Sequence, residues 1–252
     1  MQFKILGGLE ASYDGRICTP TAPKLRWVLA LLLVRANHIV ALDTLIEEIW
    51  DEAPPKSAVT TVQTYIYQLR KAFLNETGSD DALMTSPPGY LLRVDPGQLD
   101  AVTFERRTEQ GRAYLEAGNP ERASVALREA LAQWRGRVLA NVACGRHLEA
   151  YVTHLEELKI QAIEMRIRAD MQLVQHRQLI PELRSLVVQY PLNEWFHARL
   201  IESLHLSDRR GEALGAYQRL RSILSEELGL EPSAEIQRLQ LQVLNGERPA
   251  AC

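Results

Sequence analysis

Three cysteines in 252 residues, at positions 18, 144 and 252, are an odd number at wide spacing, which gives neither a disulfide framework nor a zinc signature. Cys18, Cys144 and Cys252 are therefore expected to be core filler or exposed thiols. No apolar run approaches the ~20 residues that cross a bilayer. The most apolar stretch, LRWVLALLLV from Leu25 to Val34, is too short, and the opening MQFKILGG lacks a signal-peptide pattern, so a cytoplasmic chain without a membrane partner is expected. Catalytic signatures are missing as well. His147 and His154 stand seven apart and His197 and His205 eight apart, neither with HExxH spacing or a cysteine partner. There is no GxSxG, Walker loop or GxGxxG, and Gly7-Gly8 precedes no phosphate-loop pattern. The expectation is no enzyme, no metal and no cofactor. Strong charge of either sign is also lacking, with 29 Lys/Arg against 32 Asp/Glu, so the chain reads as globular and long enough for two domains.

What is there is concentrated between residues 57 and 93: SAVTTVQTYIYQLRKAFL, a polar break, then LMTSPPGYLLRV. On a helical wheel centred on Ile66, the residues Val59, Val62, Leu69 and Phe73 form one apolar stripe. Ser57, Thr60, Thr61, Thr64, Tyr67, Gln68 and Lys71 stand opposite. That face carries almost no acid and is rich in hydroxyls and an amide, groups that meet phosphates and base edges when a helix enters the major groove. The β-branched run Val59 to Val62 lowers helix propensity, and a plain solvated face is the competing reading of this helix taken alone.

The flanks favour DNA reading. Leu25 to Val34 is a buried core helix. A second helix runs from Asp43, a plausible N-cap with Glu47 near the capping-box position, to Trp50, and Pro54-Pro55 stops it. Leu83 to Ser86 and Tyr90 to Val94 flank Pro87-Pro88-Gly89 as a hairpin, with glycine permitting the turn. The start, FKILGGLEASYDGRICTP, alternates and breaks at Gly7-Gly8 and Asp14-Gly15, which predicts a small antiparallel sheet. Residues 1–97 thus form an α+β winged helix-turn-helix. Their charge, 9 Lys/Arg against 11 Asp/Glu, lacks the bulk basicity of a nucleic-acid binder. Its distribution differs: residues 53–75 hold Lys56, Arg70 and Lys71 and no acid, while Asp43, Glu47, Glu48, Asp51 and Glu52 crowd the preceding helix. Few phosphate contacts imply modest non-specific affinity and dependence on a second protomer or a partner.

From residue 98 to 252 the pattern is nearly all helical. Apolar stripes of helical period cover Ala101 to Glu116, Pro120 to Trp134, His147 to Met171, Gln178 to Val188, Asn193 to Leu206, Glu212 to Glu227 and Ser233 to Leu244. Small residues recur after turns, Ala123, Ala126 and Ala130 in one pair and Ala213, Gly215 and Ala216 in another, which predicts a tetratricopeptide-like stack. The fold class is mainly α, a winged helix followed by an all-α helical domain.

The order TAPKLRWVLALLLVRA, LDTLIEEIW, TTVQTYIYQLRKAF, PPGYLLRV resembles the DNA-binding domain of OmpR-type response regulators. With the helical remainder it is more similar to the Streptomyces antibiotic regulatory proteins, in which a bacterial transcriptional activation domain follows. The resemblance covers nearly the whole chain. It implies DNA contacts at Lys24, Arg26, Trp50, Thr60, Gln63, Thr64, Tyr67, Gln68, Arg70, Lys71, Ser86, Tyr90 and Arg93, with Gly89 at the wing tip. Gln68 is the best base reader, since its amide can pair with adenine, and Thr64 can meet a thymine methyl. One departure is Ser86, where the family commonly has a basic residue that enters the minor groove. The resemblance further implies an activator that binds direct repeats in double-stranded promoter DNA as a side-by-side dimer. It would contact RNA polymerase holoenzyme, including the sigma factor, at antibiotic or other secondary-metabolite genes. A repressor using the same domain, or a helical protein-interaction adaptor, stays open at this stage.

Overall fold

The computed structural model describes residues 1–79 and 81–247. The chain forms two compact units, one of residues 1–110 with 126–163, the other of 111–125 with 164–252.

The first unit opens with an antiparallel sheet of β1 (Gln2–Lys4), β2 (Glu10–Tyr13) and β3 (Arg16–Ile17). Asp14 and Gly15 both have positive φ, the geometry of a tight hairpin, as the sequence signals. α1 (Pro23–Val34) starts with proline in its first turn and buries Val28 to Leu33 without a break. A short strand, β4 (Ile39–Ala41), then leads into α2 (Leu42–Trp50). Three residues are too few to show alternation, so β4 has no sequence signature. The expected Asp43 cap is corrected: Ala41 holds the N-cap position without a side-chain bond, and Asp43 lies inside the first turn, where a carboxylate faces the positive end of the helix. α3 (Ala58–Thr77) follows and ends at Gly78, which takes the left-handed conformation.

β5 (Leu83–Ser86) and β6 (Gly89–Leu92) complete a second sheet in the order β4-β6-β5. Gly89 pairs with Ala41 and lies at negative φ; a Cβ there would stand 1.9 Å from the Val40 carbonyl oxygen. Close approach of β4, rather than turn geometry, requires this glycine. Asn37, at positive φ, donates to the Val94 carbonyl and accepts from its amide, tying the end of the sheet to the turn before β4.

The connector between α5 (Pro120–Leu131) and α6 (Arg146–Gln172) closes this unit. The Arg135 and Leu139 amides donate to the Leu6 and Ile5 carbonyls at 2.7 and 3.0 Å, and Ala140 donates to Gly7. The Asn141 carboxamide accepts from the Leu9 amide and donates to its carbonyl, standing in for a neighbouring strand. From α4 (Asp100–Glu116), buried Asp100 accepts from the Ile5 and Leu6 amides. Desolvation pushes its carboxyl up against the opposing pull of those amides and of Arg135. Every polar group of the turn after β1 that these bonds reach is thereby satisfied without water.

In the second unit α7 (His176–Gln189) packs on α8 (Glu194–Leu206), α8 on α9 (Arg210–Leu228), and α10 (Ala234–Asn245) on both α8 and α9. Leu183, Phe196, Ile201, Leu204, Leu220 and Val243 are fully buried in their core. Ala213 and Ala216 are buried as their spacing suggests. Asn193 caps α8 by accepting from the Trp195 and Phe196 amides. A buried Arg166 pairs with Asp170 and Glu182, and Ser124 donates to Asp170, so the charge is fully partnered. Cys18 and Cys144 are half-buried free thiols that burial pushes above the ordinary range; Cys252 lies outside the described residues. Among the described residues no helix is long and apolar enough to cross a membrane.

Candidate nucleic-acid interface

α3 presents the surface that the sequence singled out. Ala58, Val62, Ile66, Leu69 and Phe73 are buried at three- and four-residue intervals, and the Phe73 ring meets Phe3 at 6.2 Å. Val59 is a correction to the apolar stripe: it is 44% exposed, and Ala58 takes the inward position at that end. On the wheel the buried residues spread to the Ala58 side of Ile66, which leaves Val59, in the first turn of α3, on the opposite flank of the stripe.

Outward stand Thr60, Gln63, Thr64, Tyr67, Gln68 and Lys71, all exposed, with Tyr67 at 65%. Gln63, Tyr67, Gln68 and Lys71 hold no side-chain hydrogen bond among the described residues, so their donors and acceptors are free for a ligand. The threonines differ. Thr61 Oγ1 donates to the Ser57 carbonyl and Thr64 Oγ1 to the Thr60 carbonyl, at 2.9 and 2.8 Å. Each hydroxyl proton is thus spent on the helix, and Thr64 offers a methyl group and an oxygen acceptor. That suits a thymine methyl better than a phosphate.

The basic residues divide by what they already hold. Arg70 lies between α3 and the wing: its Nε donates to the Leu83 carbonyl and its Nη2 to Thr85 Oγ1, both at 2.8 Å. Arg26 points its guanidinium at the Pro20, Thr21 and Asn141 carbonyls. Lys24 lies 4.2 Å from the Trp27 ring centre and donates to the Ile49 carbonyl, and desolvation lowers its pKa. Lys71, Lys56 and Arg93 remain exposed. Trp50, at the end of α2, is half-buried.

At the wing the Ser86 side chain is half-buried and Pro87 and Pro88 are exposed. Tyr90 corrects the expectation of a wing-tip contact: only 9% exposed, it faces inward on β6 opposite Val40. The period-two alternation of β6 explains it, since Tyr90 and Leu92 share the core side while Leu91 and Arg93 face out. The sequence also gave Glu48 no role beyond the acidic shoulder, yet it is buried. Nothing in an i, i+4 pattern marks an acid that binds Trp27 of another helix and the Gly145 and His147 amides about a hundred residues away.

Comparison with known proteins places this geometry. Residues 19–92 match the family described as transcriptional regulatory protein, C terminal, and residues 99–244 match the bacterial transcriptional activator domain. The chain is 40% identical over 253 residues to the regulatory protein DnrI of Streptomyces peucetius, covering 98% of this chain and 93% of that protein. It is 34% identical over 246 residues to the transcriptional regulatory protein EmbR of Mycobacterium tuberculosis, covering 97% of this chain and 63% of EmbR. With the regulatory protein AfsR of Streptomyces coelicolor it shares 32% identity over 98% of its own length and 24% of AfsR. It thus spans less than two thirds of EmbR and about a quarter of AfsR. The solved structure of Mycobacterium tuberculosis EmbR in complex with a low-affinity phosphopeptide superposes with a TM-score of 0.92 at 33% identity, over 99% of this chain and 66% of that one. The chain therefore belongs to the Streptomyces antibiotic regulatory protein family of transcriptional regulators, with an OmpR-type DNA-binding domain followed by a bacterial transcriptional activator domain.

Proposed function

We propose that residues 1–97 read direct repeats in promoter DNA through α3, and that residues 98–252 brace neighbouring protomers and meet RNA polymerase. The observation that carries this reading is the outer face of α3: exposed, free of acid, and lined by Gln63, Tyr67, Gln68 and Lys71 with unspent polar groups. Gln68 and Thr64 would face bases, while Lys71 and, on the wing side, Arg93 would meet phosphates. Arg70 is proposed as a tie that sets the wing against the helix, since its donors are already engaged. Ser86 would leave the wing tip without minor-groove charge.

Activation would follow by recruitment. Two protomers side by side on tandem repeats raise the local concentration of weak contacts to the polymerase and its sigma factor, which needs no new chemistry and no cofactor. The targets would be antibiotic or other secondary-metabolite genes, and the site of action the cytoplasm. Footprinting of the purified chain on promoter fragments from its own genome neighbourhood, with and without RNA polymerase at near-physiological salt, tests the proposal. Protection of two direct repeats one helical turn apart, strengthened by polymerase, is expected. Absence of protection in both conditions refutes it and leaves the face of α3 a solvated surface.

A further inference from the structure

Glu48 is an acid with no exposed surface to serve. It is 3% exposed on the inner side of α2, between α1 and the residues that open α6. Its Oε1 accepts from Trp27 Nε1 at 3.1 Å and from the Gly145 amide at 2.7 Å, and its Oε2 accepts from the His147 amide at 2.8 Å. Gly145 and His147 stand at the start of α6, where backbone amides lack helical partners and the helix dipole favours an anion. One carboxylate therefore caps a helix 97 residues downstream while anchoring a tryptophan of α1.

The fit is close on both sides. A Cβ added to Gly145 would come within 2.6 Å of the Glu48 carbonyl oxygen and 2.9 Å of its carboxyl carbon, so only glycine lets the two backbones approach. Around this point Arg146 pairs with Asp51 and His147 with Glu47. α2 packs on α3, so whatever fixes α2 fixes the platform under the reading face.

We infer that Glu48 is a positioning residue for DNA reading, which acts by holding α2 against the start of α6, with Gly145 as its counterpart. The connector between α5 and α6 then sets the presentation of α3, although it lies outside residues 1–97. Any event that displaces the connector is transmitted to the operator through this contact. The inference rests on the proposed reading of DNA by α3.

The test uses the full chain and the operator protected by the wild-type protein. Glu48→Ala, Glu48→Gln, Gly145→Ala and the double variant Glu48→Ala with Gly145→Ala are compared in operator affinity, well below each melting temperature, and in melting temperature itself. Glu48→Ala and Gly145→Ala are each expected to weaken operator binding roughly tenfold, the scale of one well-coupled contact. Glu48→Gln, which keeps an acceptor for Gly145 and Trp27 but loses the bond from the His147 amide, restores part of it. The double variant loses less than the sum of the two single losses, because Gly145→Ala displaces the same amide that the Glu48 carboxylate binds. Unchanged operator affinity with only a lowered melting temperature overturns the inference, as does loss of a cooperative melting transition in all of the variants. If the wild-type chain itself protects no operator, it is the DNA reading that fails; wild-type binding with indifferent variants defeats this inference alone.

Discussion

Replacing Arg70 with methionine separates two roles that a basic residue on a recognition helix can have. Methionine keeps the aliphatic stem and removes the guanidinium, so loss of contact area is small. In the structure that guanidinium makes two bonds to β5. The bond from a charged donor to the Leu83 carbonyl contributes about 1.5 kcal/mol. The second, to the exposed Thr85 hydroxyl, contributes about 0.5 kcal/mol after solvent screening. Arg70→Met should therefore destabilise the chain by about 2 kcal/mol and lower the melting temperature by roughly 4–8 °C. Scanning calorimetry measures this directly. DNA affinity is followed in parallel as a function of salt. A phosphate contact contributes about 0.9 to the slope of log affinity against log salt, so a structural tie leaves the slope where it was. A slope shallower by about one, with an unchanged melting temperature, would refute the assignment and put Arg70 on the DNA backbone.

Gln68→Ala should cost about 1–3 kcal/mol on the specific operator and little on scrambled DNA, measured by competition binding; equal losses on both would move Gln68 from base to backbone. Gly89→Ala drives a Cβ into the Val40 carbonyl, with its carbon at 2.7 Å, and must part β4 from β6. A loss of more than about 3 kcal/mol in denaturant unfolding is expected, and a cost under about 0.5 kcal/mol would show that the strands yield freely. Burial holds the imidazoles of His197 and His176 below their ordinary 6.5, and His197 stays neutral while its Nε2 donates to the Pro191 carbonyl. The folded chain then binds these protons less readily than the unfolded one, so stability is whole above pH 6.5 and drains as the pH falls toward the lowered values. His197→Gln, which can still donate to Pro191, should flatten melting temperature against pH between about 7 and 5; an unaltered curve would place the titration elsewhere.

The helices could be read because their stripes are long. The inward spacing of Val62, Ile66, Leu69 and Phe73 repeats over about three turns, and the Pro87-Pro88-Gly89 break stands between two short apolar runs. Shorter or longer-ranged determinants left no local trace. β4 has three residues, fewer than an alternation needs. Tyr90 resembled a wing-tip residue by position, but its face depends on the register of β6 with β4, and a shift of one residue would reverse it. Arg70 looked like a phosphate ligand because its partners, Leu83 and Thr85, lie across a turn. Glu48 and Asn141 show the limit most plainly. Apart from Trp27, their partners are about a hundred residues or more away, and no period in a single sequence encodes such a pairing.

The bond between Asn141 and Leu9 also has a meaning in time. Its two ends are 132 residues apart, and a ribosome adding about 5–20 residues per second needs on the order of ten seconds to make the second after the first. During that interval the Ile5, Leu6, Gly7 and Leu9 carbonyls that the connector will meet have left the exit tunnel without their partners, a bare edge of backbone acceptors. The winged helix can collapse around α1 and α3 in the meantime, because those contacts are close in sequence. The turn after β1 is sealed only when the connector emerges. In the life of each molecule, the residues translated first are among the last to be finished.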